Sequence, residues 1–181
     1  MMRAFIAIDI GMNDKIKEIY KDISKTKAKL KMVEPENIHL TLKFLGGIKD
    51  KDVEIVKNEI IEAKKEIKPF KAFLKGTGVF PSRDYIKVLW IGFFDNGQTK
   101  ILSEIINERL AEYGFKKEKN FKPHVTIARM KSREGKEDVL KIIDFYREKE
   151  FGEIECCEIK LKESVLTPKG PIYKDLEVVR L

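Results

Sequence analysis

The chain has two histidines, and both stand in the same surroundings: His39-Leu40-Thr41-Leu42 and His124-Val125-Thr126-Ile127, 85 residues apart in a chain of 181. The sequence holds six threonines, so one standing two places after both histidines arises by chance roughly once in a thousand such chains. Ile38, Leu40, Leu42 and Phe44 alternate with His39, Thr41 and Lys43, the period of a strand with one face on a core. A chain that carries this strand twice is constrained to a duplicated fold.

The flanking patterns extend the repetition. Arg3 to Ile10 reads as a buried strand, and Asn13 or Asp14 is placed to cap a helix running to about Leu30, before Pro35 forces a break. After the first histidine strand, Gly46-Gly47 marks its end and Asp50 or Asp52 caps a helix through about Ile67. A hairpin follows, from Phe70 to Val79 and Tyr85 to Phe93 around Pro81-Ser82. The second half repeats the order: a helix from about Gln98 to Tyr113, a strand around Phe121 to Arg129 and a helix from about Gly135 to Lys149. Strands near Ile154 to Leu166 and Tyr173 to Leu181, joined by Pro168-Lys169-Gly170-Pro171, complete it. Val79 and Ser164 each lie 40 residues beyond their histidine, which supports a duplication. The expected architecture is α+β: a single bilobal domain with two pseudo-twofold-related antiparallel sheets facing across a cleft and helices outside. The halves divide at about 1–94 and 95–181.

No linker or low-complexity run separates the halves, and no apolar stretch approaches the roughly 18 residues of a membrane span. Residues 1 to 10 lack the apolar core of a signal peptide, so a cytoplasmic location is expected. The neighbouring Cys156 and Cys157 would point to opposite faces of a strand, are unsuited to pair with each other, and read as reduced packing residues. A net charge of +7 favours an acidic partner such as nucleic acid, although abundant lysine also suits surface ion pairs.

Residues two apart on a strand share a face, so each histidine stands beside its threonine hydroxyl. Two imidazoles of ordinary pKa about 6.5 can hold opposite protonation states near neutral pH, one as general base and one as general acid. Thr41 and Thr126 can hydrogen-bond phosphate oxygens, and Lys43, expected on the face of His39, can add positive charge. A zinc site is the competing chemistry. Its ligand supply is thin, with two histidines, an unsuitable cysteine pair and neither H-E-x-x-H nor C-x-x-C spacing. No metal or other cofactor is therefore expected.

At these residues the chain resembles the 2H phosphoesterases, and within them the bacterial and archaeal RNA 2′,3′-cyclic phosphodiesterases once called 2′-5′ RNA ligases. The likeness is carried by Arg3-Ala4-Phe5-Ile6-Ala7-Ile8, His39 to Gly46, Gly76 to Pro81 and Val88 to Gly92. It continues through Pro123 to Arg129, and Ser164 to Gly170 followed by Tyr173. The resemblance implies a bilobal fold with both histidine strands lining a central cleft. It also implies hydrolysis of a terminal 2′,3′-cyclic phosphate to a 2′-phosphate, with His39 as proton donor to the departing 3′-oxygen, His124 as proton acceptor from water, and Thr41 and Thr126 holding the phosphate. It leaves which histidine is acid and which is base to the family, since the two halves are nearly symmetric.

Further candidates are less sharply defined. Arg129 lies five positions past His124, which on a regular strand turns it from the cleft unless the strand bends. Tyr173, Phe80 and Trp90 are candidates to stack on a base, or else core aromatics. Lys25, Lys27, Lys29 and Lys31, with Lys116, Lys117, Lys119 and Lys122, form basic runs suited to the backbone of an RNA end such as a tRNA fragment, or to a solvated surface. Nothing in the sequence calls for a membrane, an obligate protein partner or more than a monomer. The alternatives to hydrolysis are a 2′-5′ RNA ligase, a phosphodiesterase of small cyclic nucleotides, and a non-catalytic RNA or nucleotide-binding module.

Overall fold

Met2–Asp9 forms the first strand, β1, with Ala4 to Ile8 buried in succession. The structure, a computed structural model, describes residues 1–168 and 170–181; Lys169, in the expected last turn, lies outside the described residues. Helix α1 (Asp14–Ser24) buries Ile16, Ile19 and Ile23, which lie along one stripe at helical spacing. Of the two expected caps, Asn13 serves: its Oδ1 accepts from the Ile16 N–H at 2.9 Å and its Nδ2 donates to the Phe151 carbonyl at 2.8 Å. The remaining elements are β2 (Leu30–Met32), β3 (His39–Ile48), α2 (Asp50–Ala63), β4 (Phe70–Pro81), β5 (Ile86–Phe94) and α3 (Gln98–Ala111). They continue with β6 (His124–Met130), α4 (Lys136–Phe145), β7 (Glu150–Cys156), β8 (Glu158–Thr167) and β9 (Gly170–Arg180).

Several bounds correct the sequence expectation. Helix α1 stops at Ser24, because Ala28, Leu30 and Met32 alternate with Lys27, Lys29 and Lys31, a two-residue period that becomes strand β2 against β6. Strand β3 runs through Gly46 and Gly47 to Ile48. The segment expected as one strand from Ile154 to Leu166 is two, β7 and β8, parted at Cys157; Cys156 is buried, Cys157 exposed, and both are free thiols.

The two antiparallel sheets are joined into one. The strand order is β7-β4-β5-β6-β3-β1-β8-β9, with β2 added beside β6, and the junction between the halves of the sheet is the pair Leu40–Val125 of β3 and β6. Strands β1, β8 and β9 flank β3, and helices α2 and α3 pack beneath them. On the other side β5, β4 and β7 flank β6 above α1 and α4. Strand β4, from the first half of the sequence, thus lies in the lobe of His124, and β8, from the second half, in the lobe of His39. This exchange welds the lobes into one core that includes Ile6, Ile16, Leu40, Ile60, Leu89, Ile106, Val125, Ile143 and Leu161. One face of the sheet is covered by helices and the other is open.

Candidate active site

Both histidines are the first residues of their strands, and both stand on the open face. Leu40 and Val125 point into the core, so the neighbours on either side of them, His39 and Thr41 on β3 and His124 and Thr126 on β6, are half-buried at the opposite surface. The antiparallel register through Leu40 and Val125, continued by one residue each way, sets His39 opposite Thr126 and Thr41 opposite His124. The four motif residues therefore form one crossed cluster at the centre of the sheet.

The rings are held alike. His39 Nδ1 lies 2.6 Å from the Asn37 carbonyl oxygen, and His124 Nδ1 lies 2.7 Å from that of Lys122. A carbonyl only accepts, so each Nδ1 carries the proton and each Nε2 is left as the working atom, able to take a proton when neutral or give one when charged. His39 Nε2 is 3.0 Å from Thr41 Oγ1, whose hydroxyl donates to it while the ring is neutral. The ring of Tyr173 meets His39 edge to face at 5.4 Å, and that of Phe80 meets His124 in the same way at 5.0 Å. Phe5 completes the wall at His39, 5.0 Å away, and Trp90 backs Phe80 at 5.2 Å. Tyr173 and Phe80 thus pack against the histidines and fix their planes.

Burial pushes both imidazoles below their ordinary pKa. The Asn37 carbonyl and Asp9 oppose that shift at His39, while Lys162 and Arg129 add to it; at His124 the Lys122 carbonyl opposes it and Arg129 adds to it. One arginine therefore acts on both rings. A β-bulge puts it there: the β5–β6 register skips Ile127, so Ile127 and Ala128 both turn inward and Arg129 returns to the open face. The strand bends in the manner that the arginine needs to reach the cluster.

The matching bulge in β3 has the opposite consequence for Lys43, and here the sequence expectation is corrected. The β1–β3 register skips Leu42, so Leu42 and Lys43 both turn to the helices. Lys43 is fully buried, and its ammonium donates to Asn107 Oδ1 at 2.5 Å and to the Lys116 carbonyl at 2.8 Å. Asn107 also accepts from the Glu118 N–H and donates to the Glu118 carbonyl, so Lys43 tethers the segment 116–118 to α3 and lies away from the histidines. No signal in the local pattern gives this, because a strand without a bulge puts residue 43 with 39 and 41.

Sequence reasoning also missed an ionic square beside His39, in which only Lys162 is buried. Lys160 and Lys162 of β8 each bind both Asp9 of β1 and Asp175 of β9, at 2.6 to 3.0 Å. Among the basic runs, Lys25 pairs with Asp22, Lys29 with Glu134 and Lys117 with Glu108, so part of that charge is used in surface ion pairs. Among the described residues no group of three or more His, Cys, Asp or Glu side chains is arranged to hold a metal ion. No helix among them is long and apolar enough to cross a membrane.

The family model of LigT-like phosphoesterases matches residues 8–90 and 96–173. The RNA 2′,3′-cyclic phosphodiesterase of Methanocaldococcus jannaschii is 44% identical over 174 residues, covering 96% of this chain and 97% of that protein. Those of Aquifex aeolicus and Archaeoglobus fulgidus are 40% and 38% identical, each over 98% of this chain and over 96% and 99% of their own lengths. The crystal structure of TT0787 of Thermus thermophilus superimposes with a TM-score of 0.80 at 28% identity, covering 99% of this chain and 98% of that one. That of E. coli LigT shares the fold with a TM-score of 0.71.

Proposed function

The chain belongs to the LigT-like 2H phosphoesterase family, and from that premise we propose that it hydrolyses the 2′,3′-cyclic phosphate at the end of an RNA strand to a 2′-phosphate, with His124 as base and His39 as acid. The observation that carries this reading is the matched seating of the two rings: both Nδ1 atoms are tied to backbone carbonyls, which leaves both Nε2 atoms for proton transfer.

In this reading the cyclic phosphate lies over the crossed cluster. Neutral His124 takes a proton through Nε2 from water as the water oxygen bonds to phosphorus. Charged His39 gives its Nε2 proton to the 3′-oxygen as the bond from that oxygen to phosphorus breaks, leaving a 2′-phosphate and a free 3′-hydroxyl. The hydroxyls of Thr41 and Thr126 donate to the non-bridging oxygens, and Arg129 balances the charge that develops there. The phosphate also supplies what His39 lacks in the free protein: a bound anion favours the imidazolium and counters the burial that depresses it.

The same reading makes the protein a cytoplasmic monomer that acts on RNA ends, tRNA fragments among them, without a metal. The test is incubation, in the presence of EDTA, with an oligoribonucleotide ending in a 2′,3′-cyclic phosphate. A 2′-phosphate product supports the reading; a 3′-phosphate product, or loss of turnover to the chelator, overturns it.

A further inference from the structure

Beyond His124 the open face of the sheet carries an aromatic pair with no aromatic or cationic ring partner among the described residues. Gly92 of β5 is paired with His124 of β6, and two residues farther along the same strand, about 7 Å on, Phe94 points to the same face. Phe94 is paired with Phe73 of β4, so the two side chains leave the same face on neighbouring strands. They are 58% and 55% exposed, whereas Phe93, Leu74 and Ala72, which alternate with them, are buried under the helices. Phe94 leans back over Gly92: a Cβ added there would meet the Phe94 ring at 3.0 Å and the Lys75 carbonyl at 2.5 Å. The glycine thus leaves room for the Phe94 ring to lie back along the strand toward His124.

The surroundings are basic. Lys75 is opposite Gly92 in the β4–β5 ladder, and Lys122 lies two residues before His124, its carbonyl on that ring. Both are exposed, and neither has an ion-pair partner among the described residues. In the lobe of His39 the position matching Gly92 is Asp9 of the ionic square.

Two exposed, sequence-tolerant stacking surfaces flanked by unpaired lysines, continuous with a site for a phosphate, match the chemistry of single-stranded nucleic acid. Resting on the reading given above, we propose that Phe94 and Phe73 stack the bases of the nucleotides on the 5′ side of the cyclic phosphate, while Lys75 and Lys122 follow their backbone. The enzyme then distinguishes an RNA strand from a free mononucleotide by a platform outside the reaction centre.

The experiment compares a tetraribonucleotide ending in a 2′,3′-cyclic phosphate with the corresponding nucleoside 2′,3′-cyclic phosphate, using the full chain, Phe73→Ala and Phe73→Trp. The expected result is a preference of the full chain for the tetranucleotide in kcat/KM. Phe73→Ala lowers that preference about tenfold through KM, and Phe73→Trp retains it. Equal values for both substrates, or a preference unchanged in Phe73→Ala, overturn the proposal. Fluorescence anisotropy of a labelled single-stranded tetraribonucleotide with a 2′-phosphate end reads the platform without turnover. If that binding weakens in Phe73→Ala while the full chain shows no hydrolysis, the function has failed and the platform stands. Sedimentation of the full chain as a dimer that Phe73→Ala dissociates would assign the patch to a second copy and overturn the proposal.

Discussion

Leu40 is paired with Val125 across the junction of β3 and β6, and this one register brings residues 85 positions apart into a single crossed cluster. Each residue is buried, so the register is held by the core: a slip by one would turn an entire histidine strand over.

The first prediction concerns pH. The profile of kcat/KM reports the free enzyme, and both histidines there lie below about 6.5, so the bell should centre on the acid side of that value. Removing the charge of Arg129 raises both pKa values, so Arg129→Gln should move the bell to higher pH as well as slow the reaction. A bell that stays in place or moves down in that variant contradicts the placement of Arg129.

The same burial links stability to pH. A histidine whose folded pKa is depressed is neutral in both states above about 6.5, and below that value the unfolded chain takes up the proton first. Stability is therefore complete at neutral pH and declines as pH falls from about 6.5 toward the folded values. Thermal unfolding between pH 7.5 and 5 should show this decline, and His39→Asn should reduce it to the share of His124.

Lys43 separates stability from rate. Lys43→Ala removes the ammonium from the Lys116 carbonyl and leaves Asn107 Oδ1 with the Glu118 N–H as its remaining donor. Unfolding in urea should show a loss of about 1–3 kcal/mol. kcat at a temperature where the variant is folded should stay within about twofold, since the ammonium is on the far side of the sheet from the histidines. A large fall in kcat in a folded variant would return Lys43 to the site.

Thr41 donates to His39 Nε2 in the neutral state and to phosphate in the proposed reaction. Thr41→Ser keeps the hydroxyl and should retain most of the rate, whereas Thr41→Val should lower kcat by about 10²-fold or more, the scale seen when one preorganised donor is removed. Equal losses in the two variants would point to packing of the threonine methyl instead.

These variants also show what the sequence discloses. The motif strands, the facing of His39, Thr41, His124 and Thr126, and the α+β class are legible because alternation and spacing are local properties. The matched bulges at Leu42 and Ile127 are not, because a bulge is set by the register with β1 and β5, and it exchanged the fates of Lys43 and Arg129. The placement of β4 and β8 in opposite lobes was hidden for the same reason, since it depends on which edges meet. The helix expected to about Leu30 runs too far, although the alternation of Lys27, Lys29 and Lys31 with Ala28, Leu30 and Met32 was present to be read.

The central claim is the division of roles between the two histidines, and a sulfur leaving group tests it most directly. With the bridging 3′-oxygen of the cyclic phosphate replaced by sulfur, the departing thiolate needs no proton, so a general acid becomes dispensable while the base that activates water does not. His39→Ala, inactive on the oxygen substrate, should recover most of the full chain's rate on the sulfur substrate, and His124→Ala should remain inactive on both. Recovery of His124→Ala instead, or equal recovery of the two variants, would contradict His39 as the acid and His124 as the base.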